Sequence, residues 1–166
     1  MNSRPRRRLS AQRRRDRRGA TIVEMAIVLM VFLTLVFGML DLGIAVLRYH
    51  QLAQAARQGA REASVHGSLA DKLGTWGPGS DWGPYSGKVS EAGGHPLVAA
   101  IQASLVGFDP SQVYVDAQWL GGNDPRPQYG HRVRVTVSAD YQPIVLFIFG
   151  STPFTLEATS TMAISH

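Results

Sequence analysis

Residues 19–47 read GATIVEMAIVLMVFLTLVFGMLDLGIAVL, and only Glu24 and Asp41 in this stretch are ionisable. From Met25 to Leu40 sixteen residues run without a charge. An α-helix rises about 1.5 Å per residue and a bilayer hydrocarbon core is about 30 Å thick, so the whole stretch can span with some tilt. The sequence therefore predicts a transmembrane helix over residues 19–47. Two other readings compete. A buried helix in a soluble protein is disfavoured, because a chain of 166 residues has little mass with which to cover a long helix that is apolar on every face. A cleaved secretory signal would use the small residues Ala53-Gln54-Ala55, but the apolar run exceeds a usual signal core and Arg48, Tyr49 and His50 separate it from those alanines.

The flank on the N-terminal side fixes an expected direction. Residues 1–18 hold nine arginines and one acid, Asp16. The remaining chain carries eight basic against eleven acidic residues, so the basic pI belongs to the tail. Arginines directly before a span favour the cytoplasmic side. Residues 1–18 are thus expected to form a basic cytoplasmic tail or leader, with everything after Leu47 outside. Attraction to anionic lipid is a sufficient use for the tail. It has no interleaved aromatics, so no nucleic-acid partner is expected.

The chain has no cysteine, which removes disulfides, thiolate metal sites and a cysteine nucleophile. His50, His66, His95, His131 and His166 are scattered, with no metal-ligand spacing. No phosphate-binding glycine loop, G-x-S-x-G or H-E-x-x-H motif occurs. No enzyme activity, cofactor or metal is expected.

Two features ask for more than anchoring. Glu24 places a carboxylate inside the apolar stretch, where charge is costly and commonly functional. Gly19 stands at the boundary between the basic tail and the helix. Gly19-Ala20-Thr21-Ile22-Val23-Glu24 resembles the leader junction of the type IV pilin superfamily. More narrowly, Arg18-Gly19 through Val23-Glu24-Met25-Ala26, then Asp41-Leu42-Gly43, then Gln54-Ala55-Ala56-Arg57-Gln58-Gly59-Ala60-Arg61-Glu62-Ala63 resembles the TadE-like proteins. These are pseudopilins and minor components of tight-adherence (Tad/Flp) pilus systems. The resemblance is dense over residues 18–65. It departs at Met25, where the family often has an aromatic, at Met30, where proline is common, and in the long basic segment before Gly19.

The resemblance implies a structural or assembly protein in a bacterial inner membrane. A prepilin peptidase would cut between Gly19 and Ala20, and Glu24 would become the fifth mature residue. Its carboxylate would pair with a neighbouring subunit's new α-amino group and offset that group's desolvation. Other pilin-like subunits and inner-membrane platform proteins are the implied partners, besides the lipid bilayer. Asp41 is expected near the outer interface, where its carboxylate reaches water.

Beyond Leu47 the helical pattern continues as a stem over residues 48–66. Leu52, Ala53, Ala56, Gly59, Ala60 and Ala63 recur at three- and four-residue spacings. Small side chains permit close backbone approach, either to the protein's own sheet or to other helices. Ala53, Ala56, Gly59, Ala60 and Ala63 are the candidate assembly face. Gly67 is the expected C-cap.

Residues 67–166 should form an exported domain, with a Gly/Pro-rich loop at 67–95 that carries Trp76, Trp82 and Tyr85. Those aromatics either pin the loop or contact a ligand. In the second case the protein is a membrane-tethered binding module with no role in pilus assembly. A short helix is expected over 96–106, with Pro96 in its first turn. Alternating strands are expected over 112–119, 131–139 and 154–164. The run at 143–149 is too short for a span and reads as a core strand, a buried helix or a surface-lying element. The expected fold class is α+β, a long N-terminal helix and stem packed on a small antiparallel sheet.

Overall fold

The computed structural model describes residues 8–67, 76–77, 84–120, 130–143 and 153–165, with side chains from Gly19 onward. The apolar run expected at 143–149 lies outside them except for Pro143, which is buried. The chain divides into two units, Met1–Leu42 and Gly43–His166.

The first unit holds the N-terminal part of helix α1, which extends over Arg8–Ser64. No proline interrupts residues 8–64, so each interior backbone N–H can donate four residues back. The large apolar residues from Ile22 to Leu42 lie exposed almost without exception. Among the described residues, this is the one helix long and apolar enough to cross a membrane. The hydroxyl of Thr34 donates to the Met30 carbonyl at 2.9 Å, which gives the polar group a partner inside an apolar stretch.

The second unit is a four-stranded antiparallel sheet covered on one face by helices. Its strands are β1 (Ser86–Lys88), β2 (Val113–Leu120), β3 (Arg132–Tyr141) and β4 (Phe154–Ala163), adjacent in chain order. Alternation fixes which face is inside. Val113, Val115 and Ala117 of β2 and Val133, Val135, Val137 and Ala139 of β3 are buried. In register, Val115 pairs with Val137 and Ala117 with Val135. The other face is polar. Thr136 and Thr159 meet across β3 and β4 at 3.1 Å, and Thr155 donates to Asp140 at 2.8 Å.

The C-terminal part of α1 lies over the apolar face, together with α2 (Pro96–Gln102). His95 caps α2 and accepts from the Leu97 N–H at 3.2 Å, and Pro96 opens its first turn. Leu97, Val98 and Ile101 point into the core. Gln58 stitches α1 to α2, donating to the Ala100 carbonyl at 2.8 Å and accepting from the Ser104 hydroxyl at 2.9 Å. At Gly59 the layers meet most closely. A Cβ there would stand 3.1 Å from both Ile101 Cγ2 and Val135 Cγ1.

Two expected boundaries shift. The helix predicted over 96–106 stops at Gln102, because tighter turns follow and Gly107 takes a left-handed φ of +84°. Helix α1 ends at Ser64, through three-residue turns in which Val65 and His66 donate to Glu62 and Ala63. The N–H of Ser165 donates to the Ser64 carbonyl at 2.9 Å and ties residue 165 to the end of the helix.

Gly59→Val should destabilise the Gly43–His166 unit by about 2–3 kcal/mol, because overpacking at a close helix–sheet contact outweighs the gain in helix propensity. Gly38→Ala, where nothing lies within 4 Å of an added Cβ, should leave unfolding of that unit unchanged. Thermal unfolding in detergent micelles followed by circular dichroism measures both.

Candidate processing and assembly site

The sequence marks Gly19, Ala20 and Glu24, and all three are exposed residues of α1. Nothing lies within 4 Å of where a Cβ at Gly19 would sit, so no packing contact demands a glycine there. In a helix interior glycine costs about 1 kcal/mol relative to alanine. Gly19 is therefore a point where helical structure is locally weak. Ala20 and Glu24 are four residues apart and share one face of the helix.

That face continues through the apolar segment in a pattern that residues taken singly do not show. Steps of three and four residues lead from Glu24 through Ile27 and Val31 to Thr34, Gly38 and Asp41. The stripe collects Glu24, Thr34, Gly38 and Asp41, leaving only Thr21 and Gly43 among the polar and glycine residues between Thr21 and Gly43. The signal is heptad spacing, visible only when Glu24, Thr34, Gly38 and Asp41 are taken together. Asp41 differs from expectation. Its carboxylate is buried, at 6% exposure, rather than reaching open water.

The stem separates its small and charged residues. Ala56, Gly59, Ala60 and Ala63 are buried and Ala53 is half-buried. The expected assembly face is thus occupied by the domain's own sheet and α2, because close approach at Gly59 leaves no room for a second helix. Ala55, absent from the expected face, is also fully buried. The outward side carries Gln54, Arg57 and Arg61, which with Gln58, Glu62, Val65 and Met162 line an open groove of about 690 Å³. Arg57 Nε donates to the Ala53 carbonyl at 3.2 Å, which lays the side chain back along the helix.

At the other end of the stem an aromatic cluster gathers residues distant in sequence. Trp76 is buried and stacks on His66 with centroids 4.3 Å apart. It also meets Trp119 and His95 edge-on at 6.0 and 5.5 Å. Trp119 Nε1 donates to the His66 carbonyl at 3.1 Å. Tyr85 packs beside His95 and donates its hydroxyl to the Lys88 carbonyl. Burial and then the nearby Glu91 carboxylate raise the Tyr85 phenol above its ordinary pKa, so it stays a neutral donor. Trp76 thus acts as a pin between the stem and the sheet. Trp82 lies outside the described residues. Among the described residues, no three His, Asp or Glu side chains come together to hold a metal ion.

Comparison with known families agrees with the N-terminal pattern. Residues 19–61 match the family model described as TadE-like protein, about a quarter of the chain. The chain therefore carries a TadE-like segment that begins at Gly19 and ends at Arg61. No curated protein and no solved structure gives a significant match.

Trp76→Ala should cost the Gly43–His166 unit about 3–5 kcal/mol, as expected for emptying a buried aromatic site. A fall in the unfolding midpoint and a red shift in the remaining tryptophan emission are the readouts. An unchanged midpoint would show that Trp76 is not a structural pin.

Proposed function

We propose that a protein carrying this TadE-like segment is a pseudopilin or minor pilin, a structural component of a Tad-type pilus or secretion system. In this reading α1 spans the bacterial inner membrane, the arginine-rich tail is cytoplasmic and the Gly43–His166 unit is extracytoplasmic. The observation that carries it is the start of the family match at Gly19, where a basic tail gives way to an uncovered apolar helix with Glu24 five residues on. A prepilin peptidase cuts between Gly19 and Ala20. The new α-amino group then stands in an apolar environment, where an unpaired charge is costly. A carboxylate at the fifth mature position of an adjacent subunit pairs with it and fixes subunit register.

The stem's burial pattern supports assembly contacts away from its small-residue face. Its small residues serve the protein's own core, which leaves the arginine-bearing side and the exposed stripe through Glu24, Ile27, Val31 and Thr34 for neighbours. Interhelical packing in a bilayer favours small and hydrogen-bonding side chains of that kind. The rival reading, a tethered binding module built on the aromatic loop, loses Trp76 as a ligand platform because that ring is buried in the domain.

Two measurements test the proposal. The mature protein from native membranes should begin at Ala20, read by N-terminal sequencing or intact mass. A chain that retains the residues before Gly19 would reduce it to an anchored domain. Glu24→Ala should insert into the membrane normally yet fail to co-purify with pilus or secretion subunits, while Glu24→Gln recovers part of the association. Undiminished assembly of Glu24→Ala would overturn the role given to this carboxylate.

A further inference from the structure

Within the Gly43–His166 unit, just after the apolar stretch ends in sequence, stands a group of side chains that the assembly reading does not use. Arg48 directly follows Leu47, the last residue of the apolar stretch. Its guanidinium lies over two aromatic rings at once, 5.2 Å from the centroid of Phe108 and 5.3 Å from that of Tyr141. The Tyr141 ring in turn meets Phe154 edge-on at 5.5 Å. One turn further along α1, Gln51 donates to the Val106 carbonyl at 3.3 Å. This bond holds the loop after α2 at the same level of the helix as Arg48. On that loop Val106 is 70% exposed, the most exposed large apolar residue described. Tyr49, which follows Arg48 in α1, and Phe154, which meets Tyr141, are exposed as well, at 47% and 41%.

The topology explains why these residues share one end. Tyr141 closes β3 and Phe154 opens β4, and they are the last pair of the β3–β4 ladder. The opposite end of the sheet is tied to the end of the stem, through Trp119 to His66 and Ser165 to Ser64. The loop after α2, the β3 terminus and the β4 start therefore all lie toward the residues that follow the span.

From this placement we infer that the collar formed by Val106, Phe154 and Tyr49 around Arg48 rests in the headgroup layer of the membrane and seats the exported unit on the bilayer surface. The inference rests on the reading of α1 as a membrane span. Covalent placement names the occupant. Arg48 is the first residue beyond the apolar run, so groups held at its level stand at the lipid–water boundary. Tyrosine, phenylalanine and an arginine with its stem laid on rings suit that zone, where one end of a side chain is apolar and the other wet. Val106 supplies apolar surface with no polar function.

The collar is not a simple basic patch. Asp140 lines the same recess as Arg48, and Asp109 follows Phe108 in the loop. Ser111 donates to Asp109 through both its N–H and its hydroxyl, which holds that carboxyl below its ordinary pKa and keeps it charged. Seating therefore depends on apolar insertion more than on anionic lipid, and it is insensitive to added salt.

The absence of native cysteines makes a direct test clean. Full-length Val106→Cys protein, labelled with an environment-sensitive fluorophore, is reconstituted into phosphatidylcholine vesicles that contain lipids with a quencher near the headgroup. Ala163→Cys, exposed on the far end of β4, is the matched control. The inference expects blue-shifted emission and strong quenching at position 106, weak quenching at position 163, and no change with salt or added phosphatidylglycerol. Arg48→Glu should reduce the quenching at position 106 while the protein still floats with the vesicles. Equal, weak quenching at both positions in protein that floats with the vesicles overturns the collar and leaves the span standing. Protein that alkaline carbonate strips from the vesicles overturns the span and the collar with it. Cross-linking of Val106→Cys to a second copy, without lipid quenching, assigns the patch to self-association and overturns the inference.

Discussion

The constraint on which the molecule depends is the solvation of α1. Eighteen large apolar side chains between Ile22 and Leu47 are exposed. At about 1 kcal/mol or more for each half-exposed side chain, contact with water would cost on the order of 20 kcal/mol. A folded domain is stable by only about 5–15 kcal/mol, so the stability of the small Gly43–His166 unit does not offset that cost. An apolar solvent around the helix removes it. Glu24 and Thr34 then become the groups that need partners, because in such a solvent every unpaired polar group is penalised. Thr34 meets the demand within its own helix by donating to Met30. A glutamate has no equivalent local donor in a helix whose interior N–H groups are already used.

The TadE-like segment spans two physical regimes, and the structure assigns a cause to different parts of its pattern. In the stem, alanines and Gly59 are small because the sheet and α2 approach the helix closely, with about 3.1 Å from a would-be Cβ to two neighbours. Packing alone explains those positions. Arg57 and Arg61 are not explained in this way, since both are exposed on the opposite side and line an open groove. Gly19, Gly38 and Gly43 are likewise unexplained by internal contacts, with open space where a Cβ would sit. Residues that the fold does not require are those on which assembly and processing can act.

Much of the Gly43–His166 unit is legible because a half-buried strand writes its burial in every second residue. Val133, Val135, Val137 and Ala139 could be placed on one face without knowing their partners, and all four are buried. Helix ends were less legible. The stop after Gln102 depends on turns that place Leu105 in the core and on Gly107 at positive φ, and hydrophobic spacing alone runs on through Leu105. The His66–Trp76–Trp119–His95 cluster was illegible for a different reason. Its members lie on separate elements, and no periodicity relates residues brought together only by tertiary folding. The same holds for the stem's small-residue face. Its spacing announced close packing but not the partner, because a sheet and a second helix demand the same small residues.

That ambiguity bears on how such a helix can serve both a fold and an assembly. If one small-residue face had to hold the sheet and a neighbouring subunit, each contact would exclude the other, and polymerisation would require partial unfolding. Here the sheet takes the face of Leu52, Ala56, Gly59 and Ala63 outright, with exposures near zero. The packing of the Gly43–His166 unit is therefore complete without drawing on a second copy for that face. Any intersubunit contact is left to surfaces whose burial the fold has not already used, the exposed side chains of the apolar helix and the arginine side of the stem. The areas that hold the fold and the areas open to a partner are thus separate on the same helix. A substitution at exposed Glu24 therefore leaves the packing of the stem on its sheet intact, so its effect on a partner can be distinguished from loss of the fold.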